Sequence, residues 1–398
     1  MHLNDQEQAL LAGEQGRAAQ KAMQILVALG TIYEAERMLP VSSVQIAGVS
    51  YDNLGEAGLN FLDEMAQGGG RVRVLTTLNP AGMDTENWQA LGISEEFALS
   101  QQRVIAAFAR MGVVTTCTCT PYLVGNLPHY GEHIAWAESS AVCYANAVLG
   151  ARSNREGGPS ALAAALTGVT PDYGYHCAEV RLPDLGVRVE ARINENDEFG
   201  ALGKAIGERG RSLGFGIPYI TGISGASLEN LKSFCASLAT YGGMALFHMP
   251  GITPEATALQ PPTEAITITQ AELEAAHAAM YDAADEEVDF VTLGCPHLSI
   301  AEIARIAELL EGKRVTKEFW ITTARPTMQI ADRLGYTAII TAAGVKFAAD
   351  TCCVVAPIKG RFKAMATDSA KACYYAYAKH GFKTVLKPFD AVVAEALR

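Results

Sequence analysis

Charge and aromatic side chains are scarce in this chain. Over 398 residues, Asp, Glu, Lys and Arg make up 19% and Phe, Trp and Tyr 8%, against 49% hydrophobic residues. So little charge excludes a disordered chain and describes one with a sizeable buried core. Basic residues are the scarcer sign: 31 Lys and Arg face 43 Asp and Glu, for a net charge of −12. That balance argues against nucleic acid or an anionic membrane as the main partner. No apolar run approaches the ~20 residues that a membrane-spanning helix needs. The first residues, MHLNDQEQALLAGEQG, are polar and acidic. They are unlike a signal peptide, and a cytoplasmic location is expected.

Familiar short motifs are also missing. The glycine loops Gly68 to Gly70 and Gly157-Gly158 form neither a dinucleotide fingerprint nor a Walker A loop. There is no GxSxG elbow and no HExxH helix. No CxxC pair is present, so a structural zinc ribbon is not expected. Internal repeats and low-complexity tracts are absent.

Cysteine, in contrast, is plentiful. The nine cysteines are an odd number without the spacing of a small disulfide scaffold. Three, Cys117, Cys119 and Cys143, lie in the stretch Thr115 to Ser160, which also holds two histidines, several carboxylates and a glycine pair. Val113 to Thr116 reads as a short buried strand, Cys117 to Gly131 as a polar loop, and Glu132 to Leu149 as a helix. Gly150 supplies a left-handed stop. Cys117 and Cys119 are one residue apart, so on a strand both would face the same side.

Elsewhere strand and helix signals alternate. Gln8 to Glu34 carries apolar residues at helical spacing, and Gly55 to Ala66 reads as another helix. Strands are expected at Val44 to Val49, Val72 to Thr76, Gly186 to Ile193, Met244 to Met249, Asp289 to Leu293, Glu318 to Thr322 and Ala338 to Thr341, and within Leu213 to Ser224. Ser94 caps one helix, and Thr269 with Glu272 and Ser299 with Glu302 form capping boxes for two more. Thr257 to Thr269 is the best linker candidate. The pattern predicts an α/β fold with mainly parallel sheets, and the length predicts two or three lobes.

Three cysteines fall at strand or loop junctions: Cys119 before Thr120-Pro121, Cys295 before Pro296, and Cys352 after Thr351. Three thiolates with an open fourth position suit a catalytic iron–sulfur cluster. From spacing alone, three unrelated buried thiols are the commoner explanation of such residues. Among the histidines, His297 and His133 stand closest to other reactive groups. Asn154 and Arg155, before the glycine pair, offer an anion site, as do Ser369 and Lys371 at a helix start.

Read together, TLNPAGMD (77–84), TCTPY (118–122), GEHIAWAESSAV (131–142), GARSNREGGPSALAAALTG (150–168), ITPEA (252–256), LGCPH (293–297) and DTC (350–352) resemble the catalytic large subunit of the aconitase X family. The resemblance spans nearly the whole chain. It implies an aconitase-like fold of three α/β lobes, approximately 1–130, 131–268 and 269–398. The swivel domain would be a separate small subunit, giving a heterodimer whose partner closes the site with a serine-bearing loop. An iron–sulfur cluster of 3Fe-4S or 4Fe-4S type would be held by Cys119, Cys295 and Cys352. The adjacent Cys117 and Cys353 leave open which member of each pair is the ligand.

The implied chemistry is dehydration of a β-hydroxy acid to an alkene. The loop NREGGPSALAAALTG is most similar to the two-subunit, phosphomevalonate-dehydrating branch. That branch turns (R)-5-phosphomevalonate into trans-anhydromevalonate 5-phosphate in isoprenoid synthesis by an archaeal-type mevalonate pathway. The alternative substrate is cis-3-hydroxy-L-proline, and the alternative from another class is a non-catalytic iron- or redox-responsive binding protein. On this resemblance Ser50, Asn79 and the amides of Ala81 and Gly82 would hold the carboxylate. Asn154, Arg155, Ser369 and Lys371 would take a phosphate, and His297 and Glu138 would act at or around the cluster. The base would come from the partner.

Overall fold

Strands form where short apolar runs end in glycine or polar loops, and in the computed structural model they assemble into three parallel sheets. Residues 1–263, 265–284 and 287–398 are described. The first sheet is ordered Leu75–Leu78, Ser43–Ile46, Ala135–Trp136. The second is ordered Pro218–Thr221, Leu185–Val189, Ala265–Ile268. The third has five strands, ordered Lys346–Ala349, Glu318–Thr323, Val288–Leu293, Ala364–Thr367, Lys383–Leu386. A small antiparallel pair, Met38–Pro40 with Val169–Pro171, lies outside them. The expected α/β fold with mainly parallel sheets is what the chain adopts.

Period-two alternation explains how the third sheet is covered on both faces. Val291, Leu293, Phe319, Ile321, Ala364 and Ala366 enter one core, while Phe290, Trp320 and Met365 enter another. The helix Ile300–Leu310 closes the first of these through Ile303, Ile306, Ala307 and Leu310, all buried. Its start is set by the capping box of Ser299 and Glu302. Each fully buried Ile or Leu contributes about 1.5–3 kcal/mol by removal from water.

Several expected elements differ. The central helix starts at Ser139, not Glu132, because Ala135 and Trp136 are taken up pairing with Val44 and Gln45. Past Tyr144 it continues as a π turn to Leu149, and Gly150 closes it at φ 70° as expected. Val113 to Thr116 forms only a single bridge, from Val114 to Thr77. Ala338 to Thr341 is helical, within Tyr336–Ala342; a short apolar run does not by itself distinguish strand from helix. Met244 to Met249 makes one bridge, His248 to Tyr219, and no strand. The linker candidate Thr257 to Thr269 contains an edge strand of the second sheet, Ala265–Ile268, and its Glu264 lies outside the described residues.

Parallel sheets place all their strand ends on one edge, and the loops leaving that edge form the functional surface. In the first and third sheets those loops carry Ala47 to Ser50, Asn79, Glu138, Cys295, Cys352 and Lys371.

Candidate active site

Cys119, Cys295 and Cys352 line one crevice of about 250 Å³, together with Asn53, Asn79, Glu138, Lys371, Tyr375 and Lys379. The crevice is therefore built from the carboxyl ends of strands in two different sheets. A larger, open hollow of about 990 Å³ beside Lys204, Tyr241 and Tyr377 holds one thiol, Cys373, and none of the expected site residues.

The neighbours of the two paired cysteines point elsewhere. Cys117 has φ 44° and packs with the core of the first sheet. Cys353 packs beneath the third sheet, its thiol bonded to the Thr292 side chain. Cys119 and Cys352 are thus the members of each pair that face the crevice.

His297 ties the three cysteine-bearing segments together. Its Nε2 lies 2.8 Å from the Thr351 carbonyl and its Nδ1 2.9 Å from the Thr118 hydroxyl. A carbonyl only accepts, so the proton sits on Nε2 and Nδ1 accepts from the threonine. Its backbone N–H donates to the Cys119 sulfur at 3.2 Å. The ring is fully buried, and burial, against the opposing pull of the Thr351 carbonyl, brings its pKa down to about 4. It is neutral and does not line the crevice, so its place is behind the cysteines and not at the reacting atoms.

Gly294 explains how Cys295 reaches this position. With φ 108°, an added Cβ would lie 2.2 Å from the Thr322 carbonyl oxygen, which leaves room for glycine alone. The following Cys295–Pro296 peptide is cis.

Glu138 and Lys371 meet across the crevice floor. Glu138 caps its helix by accepting from the Ala141 amide at 2.6 Å, and Ser140 donates to both carboxylate oxygens at 2.8 Å. Lys371 Nζ reaches Glu138 Oε1 at 2.5 Å and Ser140 Oγ at 3.0 Å. Burial alone would raise the Glu138 pKa, but the lysine charge and these donors bring it below the usual carboxylate range. Lys371 moves the other way: burial disfavours its charge, yet Glu138 and the thiols of Cys295 and Cys119 hold it protonated.

Burial pushes all three crevice thiols up. Glu138 and the other two thiols add to this at Cys119, and Cys352 and Cys353 add to it at Cys295. Ser369 caps the helix Ala370–Tyr375 through the Ala372 amide, and its side chain bonds Cys295.

A second network fixes two loops against each other. Arg325 Nη2 lies 2.6 Å from both Asp84 and Asp350, and Asp350, at φ 64°, accepts the Ala81 amide on its carbonyl at 2.8 Å. The Asn79 and Cys352 loops are held together in this way.

Other expected residues are not in the crevice. The Ala81 amide goes to Asp350, and the Gly82 amide to Gln101 Oε1 at 3.0 Å. Neither is left for a ligand, because both are buried beneath the Asp350 loop. Ser50 is fully buried and donates to the Val355 carbonyl at 3.3 Å. Asn154 is used on Tyr173 and Tyr175. Arg155 points to the Gly243 carbonyl at 2.8 Å, because 152–156 runs back alongside Glu132 to Trp136. His133 pairs with His176 in a separate hollow. Asn79 remains: it lines the crevice with a buried, unpartnered side-chain oxygen.

Sequence reasoning missed Lys379, Tyr375 and Asn53. Lys371 and Tyr375 are four apart, on one face of the α-helical segment, and Lys379 follows in the π turn Ala376–His380. That spacing was readable.

Among the described residues no three His, Cys, Asp or Glu side chains gather around a single point as one ion would require. The thiols share a crevice instead. A mononuclear site needs all sulfurs about 2.3 Å from one atom, whereas an iron–sulfur cluster spreads its thiolate ligands over several irons.

Family models described as the aconitase X first, second and third domains match residues 1–179, 183–278 and 288–398. The chain is 46% identical to the phosphomevalonate dehydratase large subunit of Methanothermobacter thermautotrophicus, over 94% of each chain. It is 43% identical to that of Thermococcus kodakarensis over the whole of both. With the cis-3-hydroxy-L-proline dehydratase of Hypocrea jecorina identity is 34%, over 94% of this chain but 65% of that one. The crystal structure of aconitase X from Thermococcus kodakaraensis, in a holo-form, superposes with a TM-score of 0.92 at 42% identity, over the whole of both chains.

Proposed function

The chain belongs to the aconitase X family, and from that membership we propose that its cysteine crevice is the active site of a phosphomevalonate dehydratase large subunit. The reaction removes a proton α to the carboxylate and the β-hydroxyl, which leave as water, and forms a carbon–carbon double bond. The archaeal relatives that share 43–46% of this sequence carry that name.

The observation that carries the reading is the convergence of Cys119, Cys295 and Cys352 on one crevice beside a buried ammonium group. Three unpaired thiols with no disulfide partner fit an iron–sulfur cluster, and these three would hold it. When bound, the cluster supplies a Lewis-acidic iron for the leaving hydroxyl. Burial raises the three thiols, and the Lys371 charge, the Ser369 bond to Cys295 and the His297 amide donating to Cys119 pull the other way, toward the thiolate form that a cluster binds. His297 orients the three segments, as groups behind ligands do. Asn79 offers its unpartnered side-chain oxygen to a donor on the substrate.

The crevice lining contains neither histidine nor aspartate, and its one glutamate is spent on Lys371, Ser140 and the Ala141 amide. That supports a base supplied by a small partner subunit, as does the description of the relatives as large subunits.

The test is anaerobic reconstitution of this chain with its small partner, followed by assay with 5-phosphomevalonate and with cis-3-hydroxy-L-proline. Turnover of the first supports the reading, and turnover of the second alone overturns the substrate. Protein free of iron and acid-labile sulfide that still turns over would overturn the cofactor.

A further inference from the structure

Among the described residues, none of the crevice lining comes from the second sheet, nor from the helices Asn196–Leu213 and Leu228–Gly242 that share its core. One of these helices nevertheless reaches the Cys295 loop from behind. Lys232, on Leu228–Gly242 and 2% exposed, places Nζ 3.0 Å from the His297 carbonyl and 2.5 Å from Glu302 Oε2. One turn earlier on that helix, Glu229 accepts from the Ser299 hydroxyl at 2.9 Å. The segment 297–299 is thus gripped at two points by a helix that belongs to another sheet.

Capping does not account for Lys232. Ser299 and Glu302 already close the start of Ile300–Leu310 between themselves. Nor does stability, because a buried ion pair is often no better than well-packed apolar residues of similar volume. What sets this lysine apart is its bond to His297, whose amide donates to Cys119 at 3.2 Å and whose ring meets the Thr351 carbonyl. Lys232 and Cys295 also line one small polar cavity of about 10 Å³. Cys295 lines the crevice as well, so it stands between the two spaces. Around that cavity Glu229, Glu302 and Asp368 are the carboxylates, and Lys232 is the one cation among the described residues.

Resting on the iron–sulfur reading given above, we propose that Lys232 is a positioning residue for the cluster. Through the His297 carbonyl it holds the Cys295 loop against Cys119. Its charge, behind Cys295, raises the reduction potential of a bound cluster, since nearby charge is one of the terms that set such potentials. The second sheet and its helices serve the site in this way without entering the crevice.

The experiment compares wild type with Lys232→Met, Lys232→Gln and Leu238→Ala, the last a core position on the same helix. Iron and sulfide content, urea midpoint and the cluster's midpoint potential by EPR titration are measured on anaerobic two-subunit protein. Alkylation of Cys295 by iodoacetamide is followed on the cluster-free full chain by peptide mass spectrometry. Lys232→Met is expected to weaken cluster retention by about tenfold, as changes behind metal ligands do. Its Cys295 labels about tenfold faster, the effect of losing one charge-assisted bond, and its remaining cluster has a lower potential. Lys232→Gln, which keeps a donor but no charge, recovers part of the iron and the slow labelling while its potential stays low. Leu238→Ala lowers the urea midpoint alone. Unchanged iron and labelling in Lys232→Met overturn the positioning role, as does an equal loss in Leu238→Ala. An unchanged potential in both Lys232 variants overturns the role of the charge. Wild-type protein without iron or sulfide overturns instead the cofactor reading, and the labelling rates then decide whether Lys232 holds the loop.

Discussion

Lys371 Nζ lies 2.5 Å from Glu138 Oε1, and this buried pair joins the first turns of two helices that follow strands of different sheets. Both helices, Ser139–Tyr144 and Ala370–Tyr375, run on into a π turn ended by a glycine at positive φ. The pair sets the distance between the crevice walls and places one positive charge among three thiols.

Removing one partner strands the other. Lys371→Met is expected to destabilise the protein by about 3–5 kcal/mol, the usual consequence of an uncompensated buried carboxylate. The double variant Glu138→Leu/Lys371→Met should be less destabilised than the sum of the single changes. Urea unfolding of all four proteins measures this coupling, and additive effects would show that the pair is not coupled.

The cysteines should divide by orientation. Ser substitutions at Cys119, Cys295 and Cys352 are expected to abolish most bound iron and sulfide. Cys117→Ala and Cys353→Ala should retain both, losing only packing, about 1 kcal/mol for a small buried group. Iron and sulfide analysis of anaerobically prepared proteins decides between the two sets.

His297→Ala leaves the Thr351 carbonyl without its buried donor, while the Thr118 hydroxyl keeps Thr120. A loss of about 1–3 kcal/mol is expected from one such group, with a fall in iron per chain as the three loops lose register. His297→Gln, which can still donate toward Thr351, should recover part of both. Thermal unfolding and iron content report separately on fold and site.

His176 gives an acid dependence outside the crevice of Cys119, Cys295 and Cys352. Burial, with the neighbouring His133 adding to it, brings its pKa down to about 3 from the ordinary 6.5. The unfolded chain thus binds the proton more readily, and stability falls as pH drops from about 6.5 toward 3. By pH 5 the loss from this group is about 2 kcal/mol. Urea midpoints from pH 8 to 4 should fall less steeply in His176→Asn than in the wild type. Parallel curves would show that another group governs the acid limb.

Local chemistry made much of this legible. The Ser94 cap, the capping boxes at Thr269 and Ser299 and the Gly150 stop depend on residues a turn apart, and each forms as expected. The resemblance carried by short motifs placed the three cysteines in one site, and they do converge. Ala338 to Thr341 misled because three apolar residues and a threonine fit either period. The central helix began late because Ala135 and Trp136 were claimed by a strand ninety residues upstream, a competition that local pattern does not reveal.

The sequence by itself determined the class of the protein: an acidic, well-buried α/β chain with parallel sheets and thiols at its loop junctions. Periodicity and capping are short-range properties, and they persist whatever the rest of the chain does. Only the tertiary structure decided which thiol of each pair faces the crevice, since one left-handed residue, Cys117, turns its side chain into the core. It also spent the Ala81 and Gly82 amides inside the fold, led Arg155 away, and brought Lys379 and Asn53 to the crevice. Those outcomes depend on which distant groups meet, and that is fixed by how the loops leaving two sheets pack together rather than by any neighbour along the chain.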